Sequence, residues 1–522
     1  MRQPPSIFND VIGPVMVGPS SSHTAGSVRI GQMVRQMAKG KVKRVTCYVD
    51  PQSSLSAVFH SQGCDVGLAT GILGRPTFDP SLPNGVKEAA RQGILVEKRE
   101  EPSLHADHPN RYWMEMEEED GRTTHLSALS VGGGMFQITH VEEIPVDMSG
   151  GYYEGLVFLE NQEQCEKLQD LLKKELPGVE ELTWSQGTGG FLLQVKSRQN
   201  IRQSLEQLAQ SWGEVRYFEP VLPVLSGKEF PGLFLTAKEA LARAEGKEMW
   251  QLAAEYESIR GGISQQEVLE KMEALVGRIR SAMEAARRTP YYGDRMLQQQ
   301  SHLLEEHKER FIPGAVVQEM IKDITLMMEA KSSMGVFVAA PTAGSCGGLP
   351  GTLIGLGDTL GMSQKEIAKG MLAAGLVGVF VAQHSTFAAE VCGCQAECGA
   401  GSGMTAAGLT AMMGGRPQQC MDAAAMALQN VFGMVCDPVA GRVEVPCLGK
   451  NILAGMNALA MANLALAGFD KVVDLDQTIE ALDQVGKMLP PELRCTGRAG
   501  LSTTPAALEI QKKLEQTPCA GC

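Results

Sequence analysis

The segment beyond Val336 is rich in Gly, Ala and Met, and it constrains the fold more than any other part of the chain. Small side chains let helix backbones approach closely, so this composition favours tightly packed helices. The whole chain contains 58 Gly and 27 Met but only 5% aromatic residues, which argues against a β-sandwich. From Phe230 onward the pattern is mostly helical. Capping boxes of the Ser/Thr-x-x-Glu type predict three helix starts: Thr236 with Glu239, Ser264 with Glu267, and Ser363 with Glu366.

The domain organisation follows from length and local pattern, because 522 residues are too many for a single hydrophobic core. Residues 1–146 mix short β-like runs with Gly/Pro turns and are predicted to form an α/β domain. Residues 147–224 follow the βαββαβ order of a ferredoxin-like module. Residues 225–522 are predicted to be mostly α-helical. The expected fold class is therefore a multidomain α+β protein.

The net charge and the N-terminal sequence limit the classes of partner and the location expected for the protein. The net charge of -13 argues against nucleic acid and against an anionic membrane surface. The start lacks the basic and apolar regions of a signal peptide, and the most apolar run, from Gly370 to Ala382, is shorter than the roughly 20 residues of a spanning helix. We expect a soluble cytoplasmic protein with reduced thiols. A cluster among its 13 cysteines then favours metal binding or catalysis over disulfides.

Two segments carry the cysteines of interest. The stretch "VCGCQAECGAGSG" contains Cys392, Cys394 and Cys398, whose spacing is not that of a zinc site and also fits small residues of a buried core. The stretch "GMVCDPVAGRVEVPC" contains Cys436, which we expect where a helix ends, and Cys447. The set Cys394, Cys436 and Cys447 offers three soft ligands without an obvious fourth. Such ligands select iron-sulfur clusters, zinc or copper(I).

Two Gly-rich loops offer polar groups for a substrate. In "GPSSSHTAGSVRIG", His23 can take or give a proton, although an ordinary Ser/Thr helix cap explains the loop equally well. The hydroxyl donors of this loop are Ser20, Ser21, Ser22 and Thr24. In "APTAGSCGGLPG", backbone N–H groups before a helix suit a carboxylate, and the residues predicted to contact it are Thr342, Gly344 and Ser345.

Taken together, these segments resemble the iron-sulfur-dependent L-serine dehydratases. The motifs that carry the resemblance, in chain order, are "IGPVMVGPSSSHTAG", "HPN", "SVGGG", "APTAGS", "GCQAE", "CDPVAG", "VEVPC" and "LRCTGRAGLSTTPA". The resemblance covers the whole chain, with the family's β and α parts fused. The βαββαβ module falls where some members carry an ACT domain, but the glycine signature of a ligand-binding ACT domain is not evident.

The resemblance implies a function and a ligand set. Cys394, Cys436 and Cys447 match the cysteines that hold a [4Fe-4S] cluster with one open iron. That iron is expected to act as a Lewis acid on the hydroxyl of L-serine while a base removes the Cα proton. The aminoacrylate product becomes an imine and hydrolyses to pyruvate and ammonia. A homodimer is expected by analogy.

The chain departs from the family where a catalytic histidine is common. In "SQGCD", Gln62 replaces that histidine and Cys64 replaces a threonine. His60 lies two residues earlier and would share a face with Gln62 if this segment were a strand. In "HSTFAAE", His384 and Glu390 stand where an asparagine and a small residue are usual. Either His384 compensates for the lost histidine, or the substrate has changed to threonine, cysteine or a hydroxy acid.

Alternatives to this function remain at the level of sequence. A pyridoxal-phosphate dehydratase needs a Schiff-base lysine, and neither Gly-rich loop adjoins one. A non-catalytic iron-sulfur sensor would leave the Ser/His loop without a purpose. The final residues include Cys519 and Cys522, and in some relatives a tail cysteine binds the open iron. Here the tail is predicted either to act as such a plug or to be a disordered end.

Serine substitutions test the ligand set. We expect Cys394→Ser to empty the metal site, because a ligand thiolate is lost. Cys392→Ser and Cys398→Ser should retain the iron of the parent protein. Iron and sulfide analysis after anaerobic reconstitution measures all three variants, and iron retained by Cys394→Ser would contradict the assignment.

Overall fold

The computed structural model describes residues 3–288 and 295–516. Within these residues the chain forms a mixed sheet of six strands, an antiparallel sheet of four strands, and a body of packed helices. The predicted α+β class is confirmed at this level: sheets dominate the first part of the chain and helices the last.

The strands are short and lie almost entirely in the first half of the chain. They are β1 (Val15–Met16), β2 (Val42–Val49), β3 (Leu95–Glu100), β4 (Arg111–Glu118), β5 (Thr123–Gly132), β6 (Met135–Val141), β7 (Ile144–Met148), β8 (Tyr153–Leu159), β9 (Val179–Gly187), β10 (Gly190–Ser197), β11 (Glu214–Phe218) and β12 (Phe337–Val338).

The α-helices are most frequent after residue 236. They are α1 (Gly26–Met37), α2 (Ser54–Val58), α3 (Cys64–Ile72), α4 (Gly85–Arg91), α5 (Gln162–Glu175), α6 (Arg202–Ala209), α7 (Ala237–Leu241), α8 (Met249–Gly261), α9 (Gln265–Arg288), α10 (Ser301–Glu306), α11 (Ala315–Ser332), α12 (Gly348–Thr359), α13 (Gln364–His384), α14 (Ala389–Cys392), α15 (Cys398–Met412), α16 (Pro417–Gln429), α17 (Cys447–Leu466), α18 (Leu475–Met488) and α19 (Pro505–Gln516). Helices α7, α9 and α13 begin at the three predicted capping residues, which confirms those predictions.

The first sheet has the strand order β3-β2-β4-β5-β6-β7. β2 and β3 are parallel and are joined through α2, α3 and α4, whereas the pairs from β2–β4 to β6–β7 are antiparallel. In β4, Tyr112, Met114 and Met116 alternate with less buried residues, as a strand with one core face requires. The predicted α/β character therefore applies to the β2–β3 unit, and the rest of the sheet is an antiparallel meander.

The second sheet contains the predicted βαββαβ sequence of elements. Its strand order is β11-β8-β10-β9 with antiparallel neighbours, so the first and third strands lie in the centre. Helices α5 and α6 cover it and share a small core that includes Leu168, Leu193 and Leu205. The ACT-like assignment of this module stays a prediction.

The helical body is built around α13. Glycines of this helix allow neighbouring elements to pack closely against it. A side chain at Gly370 would bring its Cβ within 2.5 Å of Met412 Cγ, and one at Gly378 would overlap Val11. This confirms the close packing expected of the Gly/Ala-rich segment. Among the described helices, α13 is one that is long and apolar enough to cross a membrane, but 83% of its most apolar window is buried inside the protein, as in a core helix.

The first residues of the chain belong to the helical body. Ile7 and Phe8 lie in the same core as α13, and the side chain of Asn9 pairs with both backbone groups of Val224 at 2.7 and 3.1 Å. β1 then pairs with β12 in antiparallel register, Val15 opposite Val338. Residues 7–16, which lie inside the first predicted domain (residues 1–146), therefore pack in the core of the helical body. The domain boundaries stay a prediction.

Helix α1 follows directly on the Ser/His loop and is held against α3 by glycines. A Cβ at Gly31 would lie 2.5 Å from the Leu68 carbonyl oxygen, and one at Gly71 would overlap the Val28 carbonyl oxygen. Backbone atoms cannot move aside as the ends of flexible side chains can, so any residue larger than glycine would clash at these two positions.

We expect Gly71→Ala to lower stability by about 2 kcal/mol, a typical cost of overpacking. Gly277→Ala is the matched control, because its Cβ would meet Gln364 Nε2 at an ordinary 3.4 Å within helix α9. Thermal unfolding followed by circular dichroism compares the two variants. Equal unfolding temperatures would contradict the proposed contact between α1 and α3.

Candidate active site

The structure brings two of the three predicted ligand cysteines into direct proximity. Cys394 begins a 3-10 turn after α14, and Cys436 forms an isolated parallel bridge with Arg494. The ligand atoms of Cys394, Cys436 and Glu397 lie within 4.8 Å of one another. The prediction that Cys436 ends a helix was wrong: α16 stops at Gln429, and Cys436 is held instead by backbone pairing with a distant segment.

Cys447 completes the predicted set from the first position of α17. Burial raises the pKa of its thiol, and the neighbouring Cys394 raises it further. Hydrogen bonding to Cys394 and to Cys495, together with burial, raises the pKa of Cys436. Buried thiols crowded in this way are poor anions by themselves and become favourable ligands when a cation is bound. The donor set is soft and convergent, so it fits an iron-sulfur cluster.

Sequence reasoning missed two residues of this cluster. Cys495 lies with Cys394 and Cys436 in one buried group, and its own motif, "LRCTG", was noted without a role for the cysteine. Glu397 receives a hydrogen bond from the Thr342 hydroxyl at 2.7 Å, and burial raises its pKa to about 7. Its position three residues after Cys394, on the same turn, was the available signal.

A half-buried lysine lies beside the thiols. The ammonium of Lys450, three residues after Cys447, donates to the Val435 carbonyl at 2.6 Å and to the Asp437 carboxylate at 3.0 Å. Burial opposes its charge, but Cys394 and Asp437 raise its pKa above the usual range. A fixed positive charge here offsets the negative charge that ligated thiolates would carry.

His23 is fully buried in a π-helical turn, Ser21–Ala25, which Ser20 caps. Its Nε2 lies 3.1 Å from Oδ1 of Asn110, and its Nδ1 lies 3.1 Å from the Ser20 hydroxyl and 3.4 Å from Oε1 of Glu390. Burial lowers the pKa of His23, although Glu390 opposes the shift. The ring is therefore neutral near neutral pH, the form that a general base requires.

The hydroxyls of the same loop bind protein groups. Ser21 Oγ accepts the Ala343 N–H at 3.3 Å, which joins this loop to the Gly-rich loop of the helical body. Thr24 Oγ1 donates to the Gln62 carbonyl at 2.7 Å. Ser22 is buried, and its carbonyl accepts the Ser130 hydroxyl. These contacts give the hydroxyls of Ser21 and Thr24 a structural use within the loop.

The second Gly-rich loop is also largely occupied by internal contacts. Thr342 and Ser345 form a capping box over the turn Ala343–Ser345, and the carbonyl of Gly344 accepts the Asn451 amide. Asn451 Oδ1 accepts the N–H groups of residues 347 and 348. Several of the N–H groups predicted to bind a carboxylate are therefore engaged by the protein.

Gln62 lies at the centre of the site, whereas His60 lies at its edge. Gln62 is buried, contacts His23, and donates from Nε2 to Cys495 Sγ at 3.6 Å. The expectation that His60 and Gln62 share a strand face was wrong, because this segment turns between α2 and α3. His60 is exposed and pairs with Asp65 at 2.8 Å.

The other candidates lie elsewhere. His384 is exposed at the end of α13, and its Nε2 lies 2.9 Å from the Leu235 carbonyl oxygen. Cys398 is buried and points its thiol at the Gly344 carbonyl, 3.8 Å away. Cys519 and Cys522 fall outside the described residues.

A cavity of about 580 Å³ opens next to these groups. Cys495 lines it, as does Lys331, a buried lysine whose ammonium donates to the Val443 carbonyl. His60 and Arg442 line the same space, and Leu514 of α19 contributes from the C-terminal side. The cavity reaches the buried thiol of Cys495, and Lys331 and Arg442 place positive charge along its wall.

Known proteins show which family uses these motifs. The family "Serine dehydratase alpha chain" matches residues 239–502, about half of the chain. The "Probable L-serine dehydratase, alpha chain" of Bacillus subtilis (strain 168) is 38% identical over 203 residues, which cover 39% of this chain and 68% of that protein. The protein of the same name from Latilactobacillus sakei is 39% identical over 199 residues, covering 38% and 95%.

One relative aligns over nearly the whole length. "L-serine dehydratase 2" of Escherichia coli (strain K12) is 27% identical over 506 residues, covering 95% of this chain and 98% of that protein. The alignment therefore includes the βαββαβ module as well as Cys394, Cys436 and Cys447. The chain belongs to the L-serine dehydratase family, and it is a lyase.

Proposed function

We propose that this protein eliminates water from L-serine and releases pyruvate and ammonia, using a [4Fe-4S] cluster held by Cys394, Cys436 and Cys447. The proposal is carried by the buried thiols of Cys394 and Cys436, whose sulfur atoms lie within 4.8 Å of each other, and by Cys447, which interacts electrostatically with Cys394. The buried pair His23 and Glu390 supplies the acid–base groups. The relatives named L-serine dehydratase support the substrate. When bound, such a cluster supplies a Lewis acid for the substrate hydroxyl.

His23 is assigned as the base. The Asn110 side-chain oxygen accepts a proton from Nε2, which leaves the lone pair on Nδ1 to receive the Cα proton of the substrate. The Ser20 hydroxyl, 3.1 Å from Nδ1, holds the ring in that orientation until substrate arrives. Glu390 then stabilises the imidazolium, as a carboxylate does in an acid–base pair.

Two charged side chains are suited to bind the ammonium and the carboxylate of an amino-acid substrate. Over the residues that the structure describes, Oε2 of Glu390 and Nδ2 of Asn110 are buried without a hydrogen-bond partner. We assign the substrate ammonium to Glu390. Lys331, whose ammonium has three N–H groups and lines the cavity, is assigned to the substrate carboxylate. We do not assign His384, because it is exposed and bonded to a backbone carbonyl.

A substrate screen tests the function. The protein is reconstituted anaerobically with iron and sulfide, and keto acid and ammonia are measured with L-serine, L-threonine, L-cysteine and hydroxy acids. We expect L-serine to react fastest. A preference for another compound would overturn the substrate, and an intact cluster without turnover of any compound would favour a sensor.

Replacement of the base separates chemistry from cluster binding. We expect His23→Asn to lower kcat by about 10²- to 10⁴-fold, the usual contribution of a general base, with unchanged iron content. The matched control is His384→Asn, which should keep parental turnover because His384 lies on the surface. The reverse result, loss with His384→Asn and retention with His23→Asn, would identify His384 as the compensating residue.

The acid limb of the pH profile reports on His23. Its folded pKa lies below the ordinary 6.5, so kcat/KM should stay high at neutral pH and fall only as the pH drops below that value. The charged neighbour is Glu390, and the other groups facing the ring are Ser20, Asn110 and Gln62. Because the Glu390 charge raises the His23 pKa, Glu390→Gln should move the acid limb to still lower pH. A limb that moves to higher pH would contradict the assignment.

A further inference from the structure

Lys450 joins two of the segments that carry the proposed ligands. It lies in the first turn of α17, three residues after Cys447, a spacing that puts both side chains on one side of the helix. Its ammonium donates to the Val435 carbonyl at 2.6 Å and to the Asp437 carboxylate at 3.0 Å. These two acceptors belong to the residues directly before and after Cys436. One side chain of α17 is therefore bound on both sides of Cys436.

The charge of this ammonium acts on all three proposed ligand thiols. Burial opposes the charge of Lys450, whereas interactions with Cys394, Asp437 and Cys436 raise its pKa above the usual range. Burial raises the pKa of the Cys447 thiol, and Lys450 acts against that shift. The Lys450 side chain is only 15% exposed, so water and salt screen these interactions less than they would at the surface.

We propose that Lys450 is a positioning residue of the cluster site: its charge offsets that of the three ligand thiolates, and its ammonium holds the Cys436 segment against α17. This inference rests on the proposed function, which assigns the three thiols to one cluster. Three thiolates outweigh the positive charge of a four-iron core, so the ligated cluster is an anion, and one-electron reduction makes it more negative. A positive charge beside it therefore stabilises the reduced cluster more than the oxidised one.

A redox titration measures the effect of this charge. The parent protein and its variants are reconstituted anaerobically and titrated with dithionite and mediator dyes, and EPR detects the reduced cluster. We expect Lys450→Met to lower the ratio of reduced to oxidised cluster about tenfold at a fixed potential, which is a shift of about 59 mV to more negative potential for one electron. Lys450→Arg keeps the charge and should retain the parental potential.

Lys471→Met is the matched control for the loss of one ammonium group. Lys471 pairs with Asp422 at 3.4 Å and lies beyond the far end of α17 from Cys447. The same charge is removed in both variants, but we expect the potential of Lys471→Met to equal that of the parent protein. An equal shift in Lys471→Met and Lys450→Met would contradict a local effect on the cluster.

Replacement of Asp437 separates the charge effect from a purely structural one. Asp437→Asn keeps a side-chain oxygen that can accept a hydrogen bond from Lys450, but it removes a negative charge beside Cys436. We expect its potential to become less negative, opposite to the change in Lys450→Met. This measurement does not require Lys450→Met to bind the cluster. A potential that is unchanged or more negative in Asp437→Asn would overturn the charge assignment.

The contact between the two ligand segments has a readout of its own. An iron chelator is added to the anaerobic holoprotein, and the rate of iron release is measured by absorbance. We expect Lys450→Met to release iron about tenfold faster than the parent protein, since loss of a group that supports the ligands commonly weakens metal binding by this much or more. Lys450→Arg and Lys471→Met should release iron at the parental rate.

The outcomes separate this inference from the proposed function. Equal potentials and equal rates of iron release for the parent protein and Lys450→Met, with serine turnover intact, would overturn the role of Lys450 and leave the proposed function standing. A parent protein that binds no sulfide-bearing iron after reconstitution would overturn both.

Discussion

The pairing of the first residues with the helical body is the constraint on which the site depends. β1 and β12 run antiparallel with Val15 opposite Val338, and immediately beyond each strand lies one of the two Gly-rich loops. Ser21 and Ala343 then join those loops by a hydrogen bond. His23 comes from the first of these loops and Thr342, which binds Glu397, from the second. Without this short pairing, His23 and the thiols would lie in separate parts of the structure.

Burial determines the chemistry of the groups so assembled. It lowers the pKa of His23 and raises that of Glu397 to about 7, and both shifts favour the neutral form. The thiols of Cys436 and Cys447 are likewise held neutral until a cation is present. Lys450 is the exception, because Cys394 and Asp437 keep it charged. An interior of this kind suits a bound positive cluster and a neutral base at the same time.

Much of the fold could be predicted from local patterns. The capping boxes give the starts of α7, α9 and α13, and alternating strand and helix patterns give the βαββαβ module, because these features depend on neighbours in sequence. The antiparallel character of the first sheet and the packing of residues 7–16 into the helical body depend on distant contacts. Local patterns therefore did not predict them.

The site likewise contains residues that local motifs identify and contacts that only the tertiary structure shows. Cys394, Cys436, Cys447 and His23 were named from their motifs, but their contacts with Cys495, Glu390 and Asn110 were not predicted. Cys495 reaches the thiols through backbone pairing around Cys436, and Glu390 reaches His23 from α14. His60 was misplaced because a turn was taken for a strand. The spacing of residues along the chain does not predict these long-range contacts.

In the proposed function, the thiols and His23 form a single site that binds L-serine at one iron. Mössbauer spectroscopy of the protein reconstituted with ⁵⁷Fe, before and after L-serine is added, tests it most directly. About a quarter of the iron signal should shift when serine is added, as expected if serine binds one of the four irons. A spectrum that L-serine leaves unchanged, while turnover proceeds, would contradict it.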